Sequence, residues 1–398
     1  MQINGLILAD MHWGAIDPDE FYEQITHVLY KYLQDQEVND NTIDYIIIAG
    51  DLFDTKETFS SLVVERVIAF LFDLLYITDP WDTEIYIIEG TRTHDNLQLS
   101  NLGMIFNYVA DNFNSKIHIV QTVDEVNIHG SIRTLFIPEE YVIDKDAYYK
   151  KYLSEPNKYD LIVGHGMIDK IWYAKQNSSP DNDLVKHMSA PVFTVEELLN
   201  AGNRCYFGHI HTNKAYGDND RFHYIGPTTR WEFGSTTRVG FYHVSFNDVT
   251  REFTDDFIDN TEAKEYPTIA LSINEEITLT DLNDKIDTML AEIYIKCRNI
   301  AKVRMIVNLS QSIPSWQSIR DFLISKFGSM NHVKFILNLE EMTPEESQEI
   351  EEAIQNNRYV FDHSIDIPQR VHLFIKNKSG KDIPVEKIRY YLGEAEKK

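Results

Sequence analysis

Two runs of apolar residues limit the fold most strongly. The segments IIIAG (residues 46–50) and LIVGH (residues 161–165) each contain three or more consecutive apolar residues, so both faces of each predicted strand are hydrophobic. Such a strand suits the centre of a sheet that lies between two other layers. Further strands are predicted at residues 3–8, 85–88, 117–120, 134–137, 205–207, 224–225 and 240–244. We therefore expect the first half of the chain to be a layered α/β sandwich.

Two helices are predicted between the first three strands. Asp17 can cap the first helix and Pro18 suits its first turn, and apolar residues then recur at helical spacing as far as Leu33. The second helix, at residues 60–75, is apolar on nearly all sides, so it should be deeply buried. Strands that alternate with such helices are typical of an α/β protein.

Composition and charge limit the classes of function. With 43% hydrophobic residues the chain is typical of a globular protein, and it has no apolar run of the ~18 residues that a membrane span needs. Its two cysteines, Cys205 and Cys297, are far apart and are expected to be reduced thiols of an intracellular, cytoplasmic protein. The formal charge of −26 argues against a protein that coats nucleic acid through bulk positive charge. An enzyme that acts on DNA is still allowed, because metal ions neutralise phosphates locally.

A change in composition after residue 250 predicts the domain organisation. Residues 251–267 are polar and acidic and end in Pro267, which is typical of a linker. Residues 268–340 then alternate strand, helix, strand, helix and strand, and we expect a separate small α/β domain there. Residues 341–398 contain a very acidic helical stretch and a short amphipathic helix. The larger domain would accordingly occupy residues 1–250.

Five of the predicted strands end beside an aspartate or a histidine, usually with a glycine. The five junctions are Asp10-Met11-His12, Gly50-Asp51-Leu52-Phe53-Asp54, Gly90 with His94-Asp95, Gly164-His165 and Gly208-His209-Ile210-His211. Open α/β sheets bind ligands at the carboxyl ends of their strands, and glycine lets the backbone turn sharply there. Carboxylates and neutral imidazoles suit Mn²⁺, Fe²⁺ or Zn²⁺. The pattern predicts a cluster that binds two such ions, and Asp51 is our choice for the carboxylate that bridges them.

In this order, the junctions resemble a known set of motifs. DxH, GDxxD, a third loop with HD, then GH and GHxH are similar to the calcineurin-like metallophosphoesterase superfamily over about residues 1–245. Three segments resemble, more narrowly, the SbcD-type DNA double-strand-break repair nucleases and their tailed-phage recombination endonuclease relatives. They are ADMHWG, GDLFDTKETFS, and YFGHIHTNKAY followed by HYIGPTTRWEFGSTTRVGFYHV.

The resemblance implies a fold and a set of site residues. The fold would be a layered α/β/β/α metallophosphoesterase sandwich, followed by a small α/β cap domain that binds DNA and a C-terminal helical segment that binds a partner. Two metal ions, Mn²⁺ or alternatively Mg²⁺, would be held by Asp10, His12, Asp51 and His211 and by Asp51, His165 and His209. His94 would lie at the scissile bond as a catalytic residue, Asp95 would orient His94, and Asp54 would support a loop or a ligand.

The third loop departs from the family pattern. An asparagine ligand directly precedes the histidine in that pattern, but Thr93 precedes His94 here. Thr91 is the other nearby candidate, and Asn96 follows the His94-Asp95 pair. Two interpretations are open: the second ion binds more weakly, with water in the vacant position, or the longer loop needs no asparagine.

The resemblance also implies a function. The chain would be a Mn²⁺-dependent DNA nuclease subunit, both exonuclease and endonuclease, that hydrolyses phosphodiester bonds with a water activated by two metal ions. It would act in DNA end processing, replication, recombination or repair, as a homodimer within a heterotetramer with an SbcC-type SMC-like ABC ATPase, and without membrane association. Two alternatives are kept: a metallophosphodiesterase or phosphatase for a small molecule or a protein, and a catalytically weak scaffold subunit of the ATPase complex.

Residues outside the five junctions are candidates for contact with DNA or with the ATPase. Basic residues that could hold DNA phosphates, or form a mixed-charge surface exposed to solvent, are Lys296, Arg298, Lys302 and Arg304. Trp231 and Arg238, which follow the last histidine pair, could approach a substrate. In the tail, Ile383, Tyr391 and Leu392 could enter a groove on the ATPase or complete the chain's own domain.

Overall fold

The chain divides into two compact units. The first contains Met1–Thr268 and Ala291–Val303, and the second contains Ile269–Leu290 and Arg304–Lys398. A computed structural model describes residues 1–95, 98–142, 144–168, 192–297, 299–311, 313–328, 330–340, 367–379 and 383–388. The division after Thr268 lies at the start of the predicted cap domain, but Ala291–Val303, which is inside the predicted domain, belongs to the first unit.

Two six-stranded sheets form the first unit. One contains, in spatial order, β14 (Glu252–Asp259), β13 (Gly240–Asn247), β1 (Gln2–Leu8), β2 (Tyr45–Ala49), β3 (Glu84–Ile88) and β4 (Lys116–Val120). The other contains β11 (Lys214–Tyr216), β12 (Phe222–Tyr224), β10 (Gly202–Gly208), β7 (Tyr159–His165), β6 (Ile132–Ile137) and β5 (Asp124–Ile128). Strands β8 (Met167–Ile168) and β9 (Val192–Phe193) form a separate pair. Strands β1 to β4 run parallel, as do β6, β7, β10 and β12, so their carboxyl ends lie together at one edge of each sheet.

Helices cover the outer face of each sheet. The first sheet packs against α1 (Pro18–Val38), α2 (Leu62–Thr78) and α4 (Gln98–Val109), and the second sheet packs against α5 (Lys145–Leu153) and α6 (Val195–Ala201). In β2, Ile46 and Ile48 lie in the core under the helices, whereas Ile47 lies in the core between the sheets. Because both faces of β2 are covered, both are apolar. The expected α/β/β/α sandwich is confirmed.

The first two helices begin at residues whose side chains cap them. Asp17 Oδ1 accepts hydrogen bonds from the backbone N–H groups of Asp19 and Glu20, and Pro18 lies in the first turn of α1 as the sequence predicts. Ser61 Oγ accepts from the N–H of Val64 at the start of α2. These caps satisfy donors that have no partner within the helix.

Strand β14 corrects the predicted linker at residues 251–267. It pairs antiparallel with β13 along its whole length, from Asp259 opposite Gly240 to Glu252 opposite Asn247. Phe253 and Phe257 pack against the core between the sheets. Both faces of this edge strand carry acidic residues, Glu252 and Asp256 on one and Asp255 on the other, where Asp255 accepts a hydrogen bond from the hydroxyl of Tyr206. These residues explain why the segment has the composition of a linker.

The second unit is built on a three-stranded sheet with the order β15 (Thr268–Ile273), β16 (Val303–Ser310) and β17 (Val333–Glu340). Helix α7 (Leu279–Lys296) follows β15, and α8 (Trp316–Phe327) follows β16, as the sequence predicts. Leu271, Leu282, Ile286, Val307 and Leu323 are buried there. The alternation of strand and helix therefore gives this part of the chain an apolar core of its own.

Beyond residue 340, the described residues are helix α9 (Ile367–Ser379) and residues 383–388. The imidazole Nδ1 of His372 donates a hydrogen bond of 2.6 Å to the carbonyl of Ile383, and Ile388 is buried. The predicted acidic helical stretch, Tyr391 and Leu392 lie outside the described residues. In the part of the chain that is described, no helix combines the length and the apolar character of a bilayer span.

Candidate metal centre

The six predicted ligands lie at the carboxyl-terminal edge of both sheets. Asp10 and His12 follow β1 and Asp51 follows β2, whereas His165 ends β7. The remaining pair, His209 and His211, follows β10. Two neighbouring strands of each sheet therefore deliver all six side chains.

Their donor atoms form two groups that share Asp51. The first group is Asp10, His12, Asp51 and His211, and the second is Asp51, His165 and His209. Within each group the donor atoms lie within 4.8 Å of one another. The two sets coincide with the two sets of ligands that the family resemblance implies.

One oxygen of Asp51 lies between the two groups. Asp51 Oδ2 is 3.6 Å from His12 Nε2 in the first group and 3.2 Å from His165 Nε2 in the second. In the first group, His12 Nε2 and His211 Nε2 are 3.0 Å apart. Metal–donor bonds of about 2.0–2.2 Å place neighbouring donors about 3 Å apart, so these separations fit bound ions.

Hydrogen bonds orient the second group and leave a carboxylate oxygen of the first group without a hydrogen-bond partner. His165 Nδ1 donates to the carbonyl of Ala49 at 3.0 Å, which leaves Nε2 to face Asp51. The backbone N–H of His209 donates to Asp10 Oδ1 at 2.8 Å. The other oxygen, Asp10 Oδ2, is buried without a hydrogen-bond partner in the described residues. A buried carboxylate oxygen without a donor is costly, and a cation would satisfy it.

Four of the six residues have a left-handed backbone. The φ angles are 46° at Asp10, 49° at His12, 49° at Asp51 and 91° at His209. Residues other than glycine rarely adopt such angles, which cost roughly 1–3 kcal/mol each and are concentrated at functional sites. The loops are therefore bent in a way that brings the side chains together at the expense of local stability.

Gly50 makes room for His165. Its φ is +82°, and a Cβ atom there would lie 2.1 Å from His165 Nδ1. Glycine at the end of β2 therefore allows a ligand from the neighbouring sheet to pack against the backbone. This close approach is the physical reason for the glycine beside Asp51 that the sequence pattern contains.

Gly50→Ala is expected to destabilise the fold by about 1–3 kcal/mol and to weaken binding at the second donor group, because the new methyl group displaces His165. Thermal unfolding and Mn²⁺ titration by calorimetry measure the two effects. Gly130→Ala is the matched control, since Gly130 also has positive φ, at +65°, but has nothing within 4 Å of an added Cβ. Equal Mn²⁺ affinity in both variants would contradict the packing argument.

The charges of the second group favour a cation. Burial lowers the pKa of His165, but the carboxylates of Asp51, Asp10 and Glu139 outweigh burial and raise the pKa to about 10. Burial alone would raise the pKa of Asp51, yet His165 and His12 hold it well below the usual range. Positive charge is therefore strongly stabilised here, and a metal ion can supply it in place of the proton.

His94 lies beside the first group, and with His12 and Asp54 it forms a third set of possible metal donors that does not include Asp51. It is in the short helix α3 (Arg92–Asp95), and its Nδ1 donates a hydrogen bond to the backbone carbonyl of Asp54. Its ring centroid is 4.8 Å from that of His12, with the rings edge to face. Asp54 also places Oδ1 3.3 Å from His12 Nδ1, which matches the supporting role expected for it.

The predicted role of Asp95 in orienting His94 is wrong. Asp95 is fully buried, and its carboxylate accepts hydrogen bonds from the backbone N–H groups of Phe53, at 3.0 Å, and Gly90, at 2.9 Å. Burial and the neighbouring Asp51 carboxylate raise the pKa of Asp95 to about 7. Asp95 therefore joins the loops after β2 and β3, whereas the backbone carbonyl of Asp54 holds His94.

The third loop brings Thr91, and not Thr93, to the second group. Thr91 Oγ1 lies 3.3 Å from Asp51 Oδ2 and 3.3 Å from His165 Nε2, whereas Thr93 is exposed. Asn96 lies outside the described residues. The hydroxyl of Thr91 is therefore the group that the third loop brings to the second donor group in place of the expected asparagine.

Glu139 is the site residue that sequence reasoning missed. It follows β6, is buried, and places Oε2 3.2 Å from His209 Nδ1 and 3.7 Å from His165 Nε2. No glycine or histidine marks this strand end, and Glu139 and Glu140 together resemble an acidic surface pair. Its position is the feature of the sequence that could have identified it as a site residue: a carboxylate two residues after a predicted strand at residues 134–137.

Trp231 lies beside the first group, and Arg238 does not contact the six ligands. The Trp231 ring centroid is 4.7 Å from that of His12 and 5.2 Å from that of His211. Arg238 forms a bidentate ion pair with Asp259, at 2.9 and 2.7 Å, so the predicted substrate contact is not supported for this residue. Trp231 is therefore the aromatic side chain that borders the candidate site.

Comparison with known proteins agrees with this geometry. The family model described as calcineurin-like phosphoesterase matches residues 5–213, a range that contains all six candidate ligands and Glu139. No curated protein matches the chain. Because the matched range is more than half of the 398 residues, this chain belongs to the calcineurin-like phosphoesterases, a family of metal-dependent hydrolases.

Proposed function

We propose that the chain is a Mn²⁺-dependent DNA nuclease subunit, with exonuclease and endonuclease activity, that processes DNA ends in recombination or repair. The observation that carries the proposal is the pair of donor groups that share Asp51, with His94 beside one of them. The segments ADMHWG and GDLFDTKETFS supply ligands and also resemble the SbcD-type nucleases. The same residues thus support both the chemistry and the class of substrate.

Each donor group would hold one ion. The first ion would be held by Asp10, His12, Asp51 and His211, and the second by Asp51, His165 and His209. When bound, two divalent ions neutralise the phosphate and lower the pKa of a water that attacks phosphorus. Asp51 orients both halves of the centre, and the Ala49 carbonyl fixes which nitrogen of His165 faces it.

His94 is suited to act on the leaving group. Since its Nδ1 donates to the Asp54 carbonyl, Nε2 is the nitrogen available to a substrate. In its protonated form, Nε2 can give a proton to the leaving 3′ oxygen or stabilise negative charge there. Neither role requires a protein nucleophile.

Two basic residues of the predicted cap domain already form ion pairs with acidic residues. Arg320 is paired with Asp321 and Lys326 with Asp287, at 3.0 and 2.6 Å, so these cations already have anionic partners. Arg298 lies outside the described residues. Trp231 offers an aromatic face on which a base at a DNA end can stack. With a formal charge of −26, the chain depends on bound metal ions to attract DNA.

We also propose that residues 341–398 bind an SbcC-type SMC-like ABC ATPase and that the chain works as a homodimer within a heterotetramer. The support is the amphipathic pattern of the tail. Ile388 is already buried within the chain, so the ATPase contact is assigned to Ile383, Tyr391 and Leu392. Removal of residues 391–398, which include Tyr391 and Leu392, should therefore abolish co-purification with the ATPase but leave metal binding unchanged.

The decisive experiment is a Mn²⁺ titration of hydrolysis by the purified chain, with and without the ATPase. Blunt duplex DNA and bis(p-nitrophenyl) phosphate are compared as substrates, with EDTA as the control. We expect both to be hydrolysed, and the ATPase to stimulate only cleavage of DNA. Hydrolysis of the small diester alone, even with the ATPase, would favour the small-molecule phosphodiesterase. Binding of Mn²⁺ without hydrolysis of either substrate would favour the scaffold.

A further inference from the structure

Glu139 reaches the second donor group from a strand end that no motif marks. It is the second residue after β6, next to β7 in the second sheet, and its side chain is 1% exposed. Its Oε1 accepts a hydrogen bond from the hydroxyl of Tyr141 at 3.0 Å. The other oxygen, Oε2, faces the imidazoles of His165 and His209.

The three donor atoms of the second group, Glu139 Oε2 and Thr91 Oγ1 lie at similar distances from one another. Glu139 Oε2 is 3.2 Å from His209 Nδ1 and 3.7 Å from His165 Nε2, and the latter nitrogen is 3.2 Å from Asp51 Oδ2. Thr91 Oγ1 lies 3.2 to 3.4 Å from each of these four atoms. With metal–donor bonds of about 2.1 Å, neighbouring donors are about 3.0–3.4 Å apart. Each of these separations except the 3.7 Å between Glu139 Oε2 and His165 Nε2 therefore lies in the range of a coordination shell.

A carboxylate that only orients a ligand histidine would approach the nitrogen that faces away from the ion. Glu139 approaches the opposite side. In His165 the outer nitrogen, Nδ1, is already bonded to the Ala49 carbonyl, so Oε2 lies near the inner nitrogen, Nε2. In His209 it lies near Nδ1, the nitrogen that also lies near Thr91 Oγ1.

We propose that Glu139 is a direct ligand of the second metal ion, with Asp51, His165 and His209. This inference rests on the proposed dinuclear centre. It gives the two groups the same composition, two carboxylates and two imidazoles each, with Asp51 counted in both. The added negative charge strengthens binding, and a carboxylate ligand suits hard ions such as Mn²⁺ and Mg²⁺. The second site is then not the weak, water-completed site that the altered third loop suggests.

Glu139→Gln tests the assignment, because glutamine keeps the shape and removes the charge. Mn²⁺ binding by calorimetry, and the electron paramagnetic resonance signal of coupled Mn²⁺ ions, should show two ions in the parent chain. In the variant, the first ion should bind with unchanged affinity and the second at least about 100-fold more weakly. Residues that only orient a ligand typically account for about 10–100-fold. A smaller loss would overturn direct ligation.

Glu140→Gln is the matched control. Glu140 accepts hydrogen bonds from the N–H of Val123 and the hydroxyl of Tyr148, and it should keep both ions at parental affinity. If Glu139→Gln fails to fold, Glu139→Asp, which keeps the charge but withdraws the oxygen, carries the same test with the same threshold. Since the readout is metal binding, a parent chain that binds two ions but cuts no DNA would refute the proposed substrate and leave the role of Glu139 standing.

Discussion

Asp51→Asn is expected to lower phosphodiester hydrolysis at least about a thousandfold and to reduce the bound Mn²⁺ to fewer than two ions per chain. Asp51 Oδ2 lies close to both donor groups, at 3.6 Å from His12 Nε2 and 3.2 Å from His165 Nε2. Asparagine can still accept the N–H of Thr91, but the negative charge between the ions is lost. Two bound cations would repel each other, and the carboxylate that both donor groups share would offset that repulsion.

Asp256→Asn is a suitable control for Asp51→Asn, because Asp256 is exposed on strand β14 and its replacement removes the same formal charge far along the chain from the ligands. It should keep two ions and the parental rate. Metal content is measured on protein freed of loose ions by gel filtration, and the rate with bis(p-nitrophenyl) phosphate. An Asp51→Asn protein with two ions and an undiminished rate would show that Asp51 does not bridge.

The layers of the fold could be predicted because a strand that is buried on both faces has consecutive apolar residues in its sequence. In β2, Ile46 and Ile47 face different cores, and no linker or surface strand would be apolar at both positions. The sequence of strand β14 is less distinctive. Its apolar residues are Phe253, Phe257 and Ile258, and the acidic residues among them match a linker equally well.

The candidate site could be predicted where a residue that the backbone geometry requires, such as a glycine, adjoins a residue that the chemistry requires. Gly50 is needed because His165 packs against it. The required glycine and the ligand Asp51 therefore stand next to each other in the sequence. Glu139 has no such companion, since no glycine adjoins it in the segment TLFIPEEYV at residues 134–142. Asp95 is misleading for another reason: it adjoins His94 in sequence, but its carboxylate meets the backbone of Phe53 and Gly90. Two residues that are adjacent in a short helix can point their side chains in different directions, and the sequence does not show which way each one points.

His94→Ala is expected to lower the rate of DNA cleavage about 10²- to 10⁴-fold while both Mn²⁺ ions remain bound. The reason is position: His94 lies beside His12, with ring centroids 4.8 Å apart, but belongs to neither donor group that shares Asp51. Calorimetric titration with Mn²⁺ and cleavage of blunt duplex DNA measure the two properties separately. Loss of an ion together with activity would instead make His94 a ligand.

The leaving group decides between the two roles of His94. A 3′ oxygen leaves poorly without a proton, whereas p-nitrophenolate is stable as an anion, so a general acid matters for DNA and little for bis(p-nitrophenyl) phosphate. If His94 protonates the leaving oxygen, His94→Ala should impair DNA cleavage far more than hydrolysis of the small diester. Equal loss on both substrates would indicate charge stabilisation. His129→Ala, which also removes an imidazole bonded to a backbone carbonyl, should affect neither.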